Sequence, residues 1–185
     1  MKKTLLTCAA ACLTAVAIAP TSALAGTYTQ TKYPIVMVHG LFGFDNIGPV
    51  EYFYGIPSSL RSDGAKVYPV QVSAANSTEV RGEQLLTQVK QILAATGEKK
   101  VNLMGHSHGG PTARYIASVR PDLVASVSSI AGVNKGSAVA DILTKVAPPG
   151  SISNAVISSV TNGLATVINF LSGGRGLSQN SNAAL

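Results

Sequence analysis

The chain has 185 residues and a formal charge of +6, with 46% hydrophobic and 12% charged residues. This length and composition are typical of a folded globular domain and exclude a disordered or low-complexity chain. The basic residues are dispersed, and the sequence contains no GxxxxGKS loop, no basic patch with interleaved aromatic residues and no histidine–cysteine cluster. Nucleic acid is therefore excluded as an expected partner, and neither a cofactor site nor a metal site is visible.

Residues 1–25 have the pattern of a secretory signal peptide. Lys2 and Lys3 precede an uncharged run, which ends in the small-residue sequence Ala23-Leu24-Ala25. The alternative is a membrane anchor, but the run is short, rich in alanine and followed by a cleavage-type sequence. We expect cleavage after Ala25 and a mature protein that is soluble and exported. Both cysteines lie in this segment, so the mature part has no disulfide or thiolate chemistry.

Strand and helix patterns then alternate along the chain. Short apolar, β-branched runs predict strands, and apolar residues at a 3.6-residue period predict helices. The strands are predicted at 33–40, 66–72, 99–105 and 122–132, and the helices at 57–64, 77–97 and 109–119. This order predicts a mostly parallel sheet with helices on both faces, because parallel neighbours need crossover connections. Pro69 suggests that the second strand lies at an edge.

The segment 150–171 has no charged residue, and its apolar side chains recur at helical spacing. A transmembrane helix is one interpretation. Six polar residues between the apolar ones favour instead an amphipathic helix that turns an uncharged polar face outward. One domain that includes this helix is thus predicted over residues 26–172. The glycine-, serine- and asparagine-rich residues 173–185 are predicted to be a loop or a truncated tail.

The sequence "GHSHG" connects the third strand to the following helix. Ser107 lies between Gly105 and Gly109, and strand–turn–helix is the context that a nucleophile elbow requires. The serine of such a turn has a strained backbone, so its neighbours two residues away must be small. A structural glycine- and serine-rich loop is the alternative. The context favours Ser107 as a catalytic nucleophile.

A nucleophilic serine also needs an oxyanion hole and a base. The residue after the serine, His108, and Leu41 in the early loop "VHGLFG" are predicted to donate the two backbone N–H groups. His39 and Gly40 are expected to support that loop. His39 could instead be the base, but it precedes the serine in the chain, and His106 and His108 flank the serine within its own turn. No histidine follows the turn, so neither a general base nor its acid is identified.

Several long blocks carry a resemblance to a known family. "TYTQTKYPIVMVHGLFGFDNI", "RGEQLLTQVKQILAATG" and "KKVNLMGHSHGGPTARYIASVRPDLVASV" resemble the secreted bacterial triacylglycerol lipases of the foldase-dependent Pseudomonas type. The resemblance implies an α/β-hydrolase fold, hydrolysis of triacylglycerol or other long-chain esters at a lipid interface, and a periplasmic lipase-specific foldase chaperone. It also implies a lid helix within 150–171, and a calcium ion whose ligands are absent from this sequence.

The resemblance is incomplete in two respects. Asn134 replaces a proline–histidine pair that many relatives have ahead of a KGS-like motif. The family's catalytic aspartate and histidine follow the lid, whereas the carboxylates after Ser107 are only Asp122 and Asp141, on a predicted helix–strand turn and a helix flank. We therefore expect a partial α/β hydrolase that lacks its C-terminal strands and is inactive alone. A short-chain esterase or acyltransferase, or a non-catalytic lipid- or chaperone-binding relic, are the alternatives.

Overall fold

The computed structural model describes residues 27–174 and 176–184. The predicted signal peptide, residues 1–25, lies outside the described residues. Six strands are present in this part of the chain: β1 (Ile35–Val38), β2 (Asn46–Ile47), β3 (Val50–Glu51), β4 (Val67–Val70), β5 (Val101–His106) and β6 (Val124–Ile130). The helices are α1 (Ile56–Ser62), α2 (Thr78–Thr96), α3 (Gly109–Val119), α4 (Ala138–Val146) and α5 (Ile152–Leu171), with 3-10 helices at Pro121–Leu123 and Ser181–Ala184.

Four strands form one parallel sheet in the order β4-β1-β5-β6. The predicted parallel sheet is thereby confirmed. β4 lies at one edge, as its Pro69 suggested, and β6 lies at the other. β2 and β3 form a separate antiparallel pair in the connection that follows β1. All four predicted strands are present, each shorter than or shifted slightly from its sequence pattern.

Both faces of the central strand β1 are buried by helices. Val36 and Val38 pack with the apolar stripes of α2 and α3, whereas Ile35 and Met37 belong to a second cluster with residues of and around α1. The alternation follows from the period of two along a strand. Helix α2 begins at a Ser77 side chain that accepts the Val80 N–H, and it ends at a left-handed Gly97. The predicted helices on both faces are confirmed.

Helix α5 is amphipathic, but the prediction of its orientation is wrong. Its buried residues are mainly polar, Asn154, Ser158 and Asn169, and its apolar residues face outward, with Val160 69% and Val167 54% exposed. The cause is hydrogen bonding. The short polar side chains of α5 form hydrogen bonds with residues 178–182 and with the loop 72–75. If the helix packed by its apolar side, these buried groups would have no hydrogen-bond partner.

By length and composition, α5 is also the one helix in the described ranges that could cross a membrane. Only 22% of its most apolar window is buried. The predicted loop after it lies along the protein surface rather than away from it. Ser178 O accepts hydrogen bonds from Ser73 and Asn76, and Asn180 N–H donates to Ala75 O. The residues after this loop, Ser181–Ala184, form a 3-10 helix that the sequence pattern did not indicate.

Candidate active site

Ser107 occupies the turn between β5 and α3. Its φ angle is +54°, in the left-handed region that a side chain rarely adopts. The turn is held on both sides, because Ser107 N–H donates to Ile130 O at 3.0 Å and Ser107 O accepts from Gly110 N–H at 3.0 Å. The strained backbone predicted for Ser107 is confirmed. This turn places Ser107 at the carboxyl end of the sheet, directly after β5.

The neighbouring glycines are required by close backbone contacts. A Cβ on Gly105 would overlap the carbonyl of Gly109, and a Cβ on Gly109 would overlap the carbonyl of Val38 at the end of β1. A Cβ on Gly40 would lie 2.8 Å from the Ser107 Cβ. The turn, the strand β1 and the loop after it thus approach one another more closely than any larger residue allows.

His39 supports the loop after β1 by its ring. It is fully buried; Nδ1 lies 2.9 Å from Gly40 O, and Nε2 lies 3.2 Å from Val72 N. Since the Val72 amide can only donate, Nε2 accepts and Nδ1 carries the proton. Burial, and then the positive charge of Arg81, lower the pKa of His39 to about 3. A neutral ring with both nitrogens engaged is a structural support and not a base for Ser107.

Arg81 is a site residue that the sequence analysis missed. Its fully buried guanidinium donates to His39 O at 2.7 Å, to Gly40 O at 3.4 Å and to the carbonyl of Ser73. Burial lowers its pKa to about 10, so it remains charged at neutral pH. Neither ion pair found within residues 27–174 and 176–184 includes it. The sequence did contain one signal that Arg81 is buried, because Arg81 lies one turn before Leu85 and therefore falls on the buried stripe of α2.

The other two histidines contact residues away from the nucleophile. Tyr52 OH is hydrogen-bonded to His106 Nδ1 at 2.6 Å and accepts the Gly40 N–H at 3.2 Å, so Tyr52, also missed from the sequence, joins the turn to the loop after β1. His108 Nε2 lies 3.1 Å from Thr78 Oγ1. Burial, and then Arg81, lower the pKa of His108 to about 4, and its buried Nδ1 has no partner among the described residues.

Leu41, Ser107 and His108 line one cavity of about 420 Å³, together with residues of α4. In the described part of the chain, the N–H groups of Leu41 and His108 donate to no protein acceptor. Two unused donors therefore adjoin the serine. An oxyanion hole needs two free donors beside the nucleophile, and these two belong to separate loops whose residues line the same cavity as Ser107.

No base or acid accompanies Ser107 within residues 27–174 and 176–184. The three histidines bind Gly40, Val72, Tyr52 and Thr78 instead. Asp122 lies in the 3-10 turn before β6 and pairs with Arg120 at 2.6 Å, which lowers the pKa of the carboxyl group, and Asp141 lies in the first turn of α4. Both positions agree with the sequence prediction.

The described ranges also contain no group of three or more histidine, cysteine, aspartate or glutamate residues that could hold a metal ion. These residues do not fit the calcium ion that the resemblance implies. Asn134, the local departure from the resemblance, accepts hydrogen bonds from Ser129 and Arg114 at the surface.

A parallel sheet with helices on both faces, and a strained serine between glycines at the end of a central strand, define an α/β hydrolase. Residues 33–185 match the family described as the alpha/beta hydrolase fold, and the chain belongs to this family. The expected fold class is thereby confirmed.

Curated relatives refine this assignment. The chain is 64% identical over 158 residues to a triacylglycerol lipase of Vibrio cholerae serotype O1, covering 85% of this chain and 51% of the relative. It is 46% identical over 151 residues to a triacylglycerol lipase of Pseudomonas fragi, covering 82% and 52%. The chain thus spans about half the length of the curated relatives it matches.

Solved structures agree on the fold. The propeptide form of the Bacillus licheniformis lipase BlEst2 gives a TM-score of 0.55 at 18% identity, over 80% of this chain and 31% of that one. Its mature form gives 0.52 at 19% identity, over 78% and 60%. At this level of identity the likeness concerns the fold alone.

Proposed function

We propose that this chain carries the nucleophile and the oxyanion hole of a triacylglycerol lipase. The observation that supports the proposal most directly is Ser107 at φ +54°, which lines one cavity together with Leu41 and His108. The similarity to bacterial lipases supplies the substrate class, which is triacylglycerol or another long-chain ester.

In the proposed reaction, Ser107 Oγ attacks the ester carbonyl carbon and loses its proton to a base. The carbonyl oxygen becomes an oxyanion that accepts hydrogen bonds from the Leu41 and His108 amides. Collapse breaks the bond to the alcohol, which leaves with that proton, and water then releases the acid from the acyl-serine. None of the three described histidines is placed to be this base, because each binds another group.

The outer face of α5 supports the proposed action at a lipid interface. Val160, Val167 and their apolar neighbours are exposed on a helix without charge, and other residues of α5 line a second pocket that shares Leu41 with the Ser107 cavity. Such a face gains free energy by contact with lipid, at about 25 cal/mol for each Å² of apolar surface removed from water. We propose α5 as the lid. Vesicle flotation of the chain, with and without Val160→Ser and Val167→Ser, tests this role.

Export and assisted folding complete the proposal. The pattern of residues 1–25 supports secretion through the periplasm, and the resemblance supports a foldase chaperone. N-terminal sequencing of secreted protein would reveal cleavage after Ala25. Yield of folded chain with and without a cognate foldase tests the second part, and an equal yield in both cases contradicts it.

Covalent labelling of Ser107 tests the nucleophile. A serine with an oxyanion hole but without its base retains roughly 10³-fold catalysis over water, so an activated fluorophosphonate should label the chain slowly. Intact-mass and peptide analysis should locate the adduct on Ser107. Ser107→Ala should abolish it, and Ser129→Ala, which changes a nearby serine, should leave the labelled site unchanged. Equal labelling of all three proteins would refute the assignment.

Turnover separates the alternatives. We expect the 185-residue chain alone to hydrolyse p-nitrophenyl esters at a small fraction of a complete lipase's rate. Rapid turnover that Ser107→Ala removes would contradict this expectation. Absence of labelling together with binding to lipid vesicles would favour a non-catalytic lipid-binding protein, which the missing base and the exposed apolar face of α5 also permit. A preference for soluble over emulsified esters would favour a short-chain esterase.

A further inference from the structure

Asn169 connects α5 to the loop that follows β4. The side chain is 2% exposed. Its Oδ1 accepts the Ala74 N–H at 2.8 Å, and its Nδ2 donates to Val72 O at 3.3 Å. One amide thus binds two backbone groups, 95 and 97 positions away in the chain. Gln179, in the segment after α5, donates a further hydrogen bond to the same Oδ1 at 2.9 Å.

The loop held by Asn169 in turn holds the residue next to Leu41. Ala74 O accepts the Phe42 N–H at 2.8 Å. Phe42 has a φ of +53°, which a bulky side chain adopts only when its surroundings fix it. Its side chain packs against a buried cluster of Ala74, Ala75 and the α5 residue Ala165. Helix α5 therefore contacts the Leu41–Phe42 segment directly through packing, and indirectly through Asn169 and Ala74.

We propose that Asn169 is a positioning residue that fixes the Leu41 N–H through Ala74 and Phe42. The inference rests on the proposed function to the extent that Leu41 is an oxyanion donor. Helix α5 then has two tasks. Its exposed apolar face is available for contact with lipid, while its C-terminal turns keep the oxyanion loop in place.

The other polar residues on the buried side of α5 serve a different contact. Asn162 Oδ1 accepts only the Ser181 N–H, at 2.7 Å, and Asn154 and Ser158 bind Asn182. None of these three side chains hydrogen-bonds to residues 72–75. Asn162 is consequently a matched control. It is the same residue type on the same helix, with a hydrogen bond to backbone, but it has no connection to Phe42.

Hydrogen exchange tests the structural half of the proposal without reference to catalysis. Asn169→Leu removes both hydrogen bonds and should accelerate exchange of the Phe42 amide by about 10-fold, the factor for one lost net hydrogen bond. Asn162→Leu should leave that amide unchanged. Asn169→Asp retains an acceptor for Ala74 and should restore protection. An unchanged exchange rate of the Phe42 amide in Asn169→Leu would overturn the inference. So would an equal acceleration of this amide in Asn162→Leu, or an equal acceleration of the β5 amides in Asn169→Leu.

The rate of phosphonylation of Ser107 tests the chemical half. Removing one oxyanion donor costs roughly 10²- to 10³-fold, so a displaced donor should lower the labelling rate at saturating probe by about 10-fold. The probe concentration for half-maximal rate should change little. Asn169→Asp should recover most of the rate, and Asn162→Leu should match the unaltered chain. If the unaltered chain is not labelled at all, the proposed function fails, while the exchange experiment still decides whether Asn169 holds the loop. Fast exchange with an unchanged labelling rate would overturn the positioning role.

Discussion

Acid should destabilise this protein through His39. The ring is buried and neutral in the folded chain, with a pKa lowered to about 3, whereas an unfolded chain has a histidine pKa of about 6.5. Below pH 6.5 the unfolded state therefore takes up a proton that the folded state refuses. Stability is complete above the ordinary histidine pKa, and it is lost as the pH falls toward the lowered value.

The size of the effect follows from the shift. Each pH unit below 6.5 costs about 1.4 kcal/mol, so His39 costs about 3 kcal/mol near pH 4.5. His108, whose pKa is lowered to about 4 by burial and Arg81, acts in the same direction over a similar range. Together they remove about 5 kcal/mol, which equals the whole stability of a marginal domain. The folded chain should therefore approach its unfolding midpoint near this pH.

Urea unfolding followed by circular dichroism at several pH values between about 7 and 4.5 would measure this loss, with a non-ionic detergent present to cover the face of α5. His39→Gln removes one titrating ring and should reduce the loss from about 5 to about 2 kcal/mol. The variant will be less stable at neutral pH, so the slope against pH is the decisive quantity. A slope identical in both proteins would show that His39 is protonated in the fold and would refute the reasoning.

Three further predictions concern the site and the surface. Gly105→Ala places a Cβ against the Gly109 carbonyl and should cost about 2 kcal/mol or more in urea unfolding, whereas Gly163→Ala, with open space around it, should not destabilise. Arg81→Met removes the guanidinium donor to the His39 and Ser73 carbonyls and should cost about 3 kcal/mol and slow the labelling of Ser107; unchanged labelling would contradict its supporting role. Ser107→Gly relieves the left-handed backbone and should raise stability by about 1 kcal/mol, while Ser107→Ala should not; equal melting temperatures would argue against strain.

The turn around Ser107 could be predicted because its requirements are local. Gly105 and Gly109 lie two residues from the serine, and the motif alone predicts that they are small, although the contact that requires a glycine at 109 is the distant Val38 carbonyl. The strands and helices could be predicted equally well, since their periodicity is visible in short windows of the sequence. The edge position of β4 followed from one residue, Pro69.

The supports of the site could not be predicted, because each connects distant parts of the chain. Arg81 binds His39 O across 42 positions, and Tyr52 binds His106 across 54. The predicted orientation of α5 is wrong for the same reason. Its asparagines are buried only because the loop 72–75 and the segment 178–182 offer backbone groups to bind, and no window of the helix itself reveals those partners.

The two margins of the sheet are not equivalent. β4 contains Pro69, which lacks an amide hydrogen, and it is covered by α1 on one face and α2 on the other. β6 has mostly exposed residues, including Ile130, and its outer backbone groups have no neighbouring strand within the described residues. Enlargement of this sheet is consequently one-sided. An added strand, whether from the same polypeptide or from another molecule, would dock beside β6, and a soluble peptide matched to that margin would compete with it.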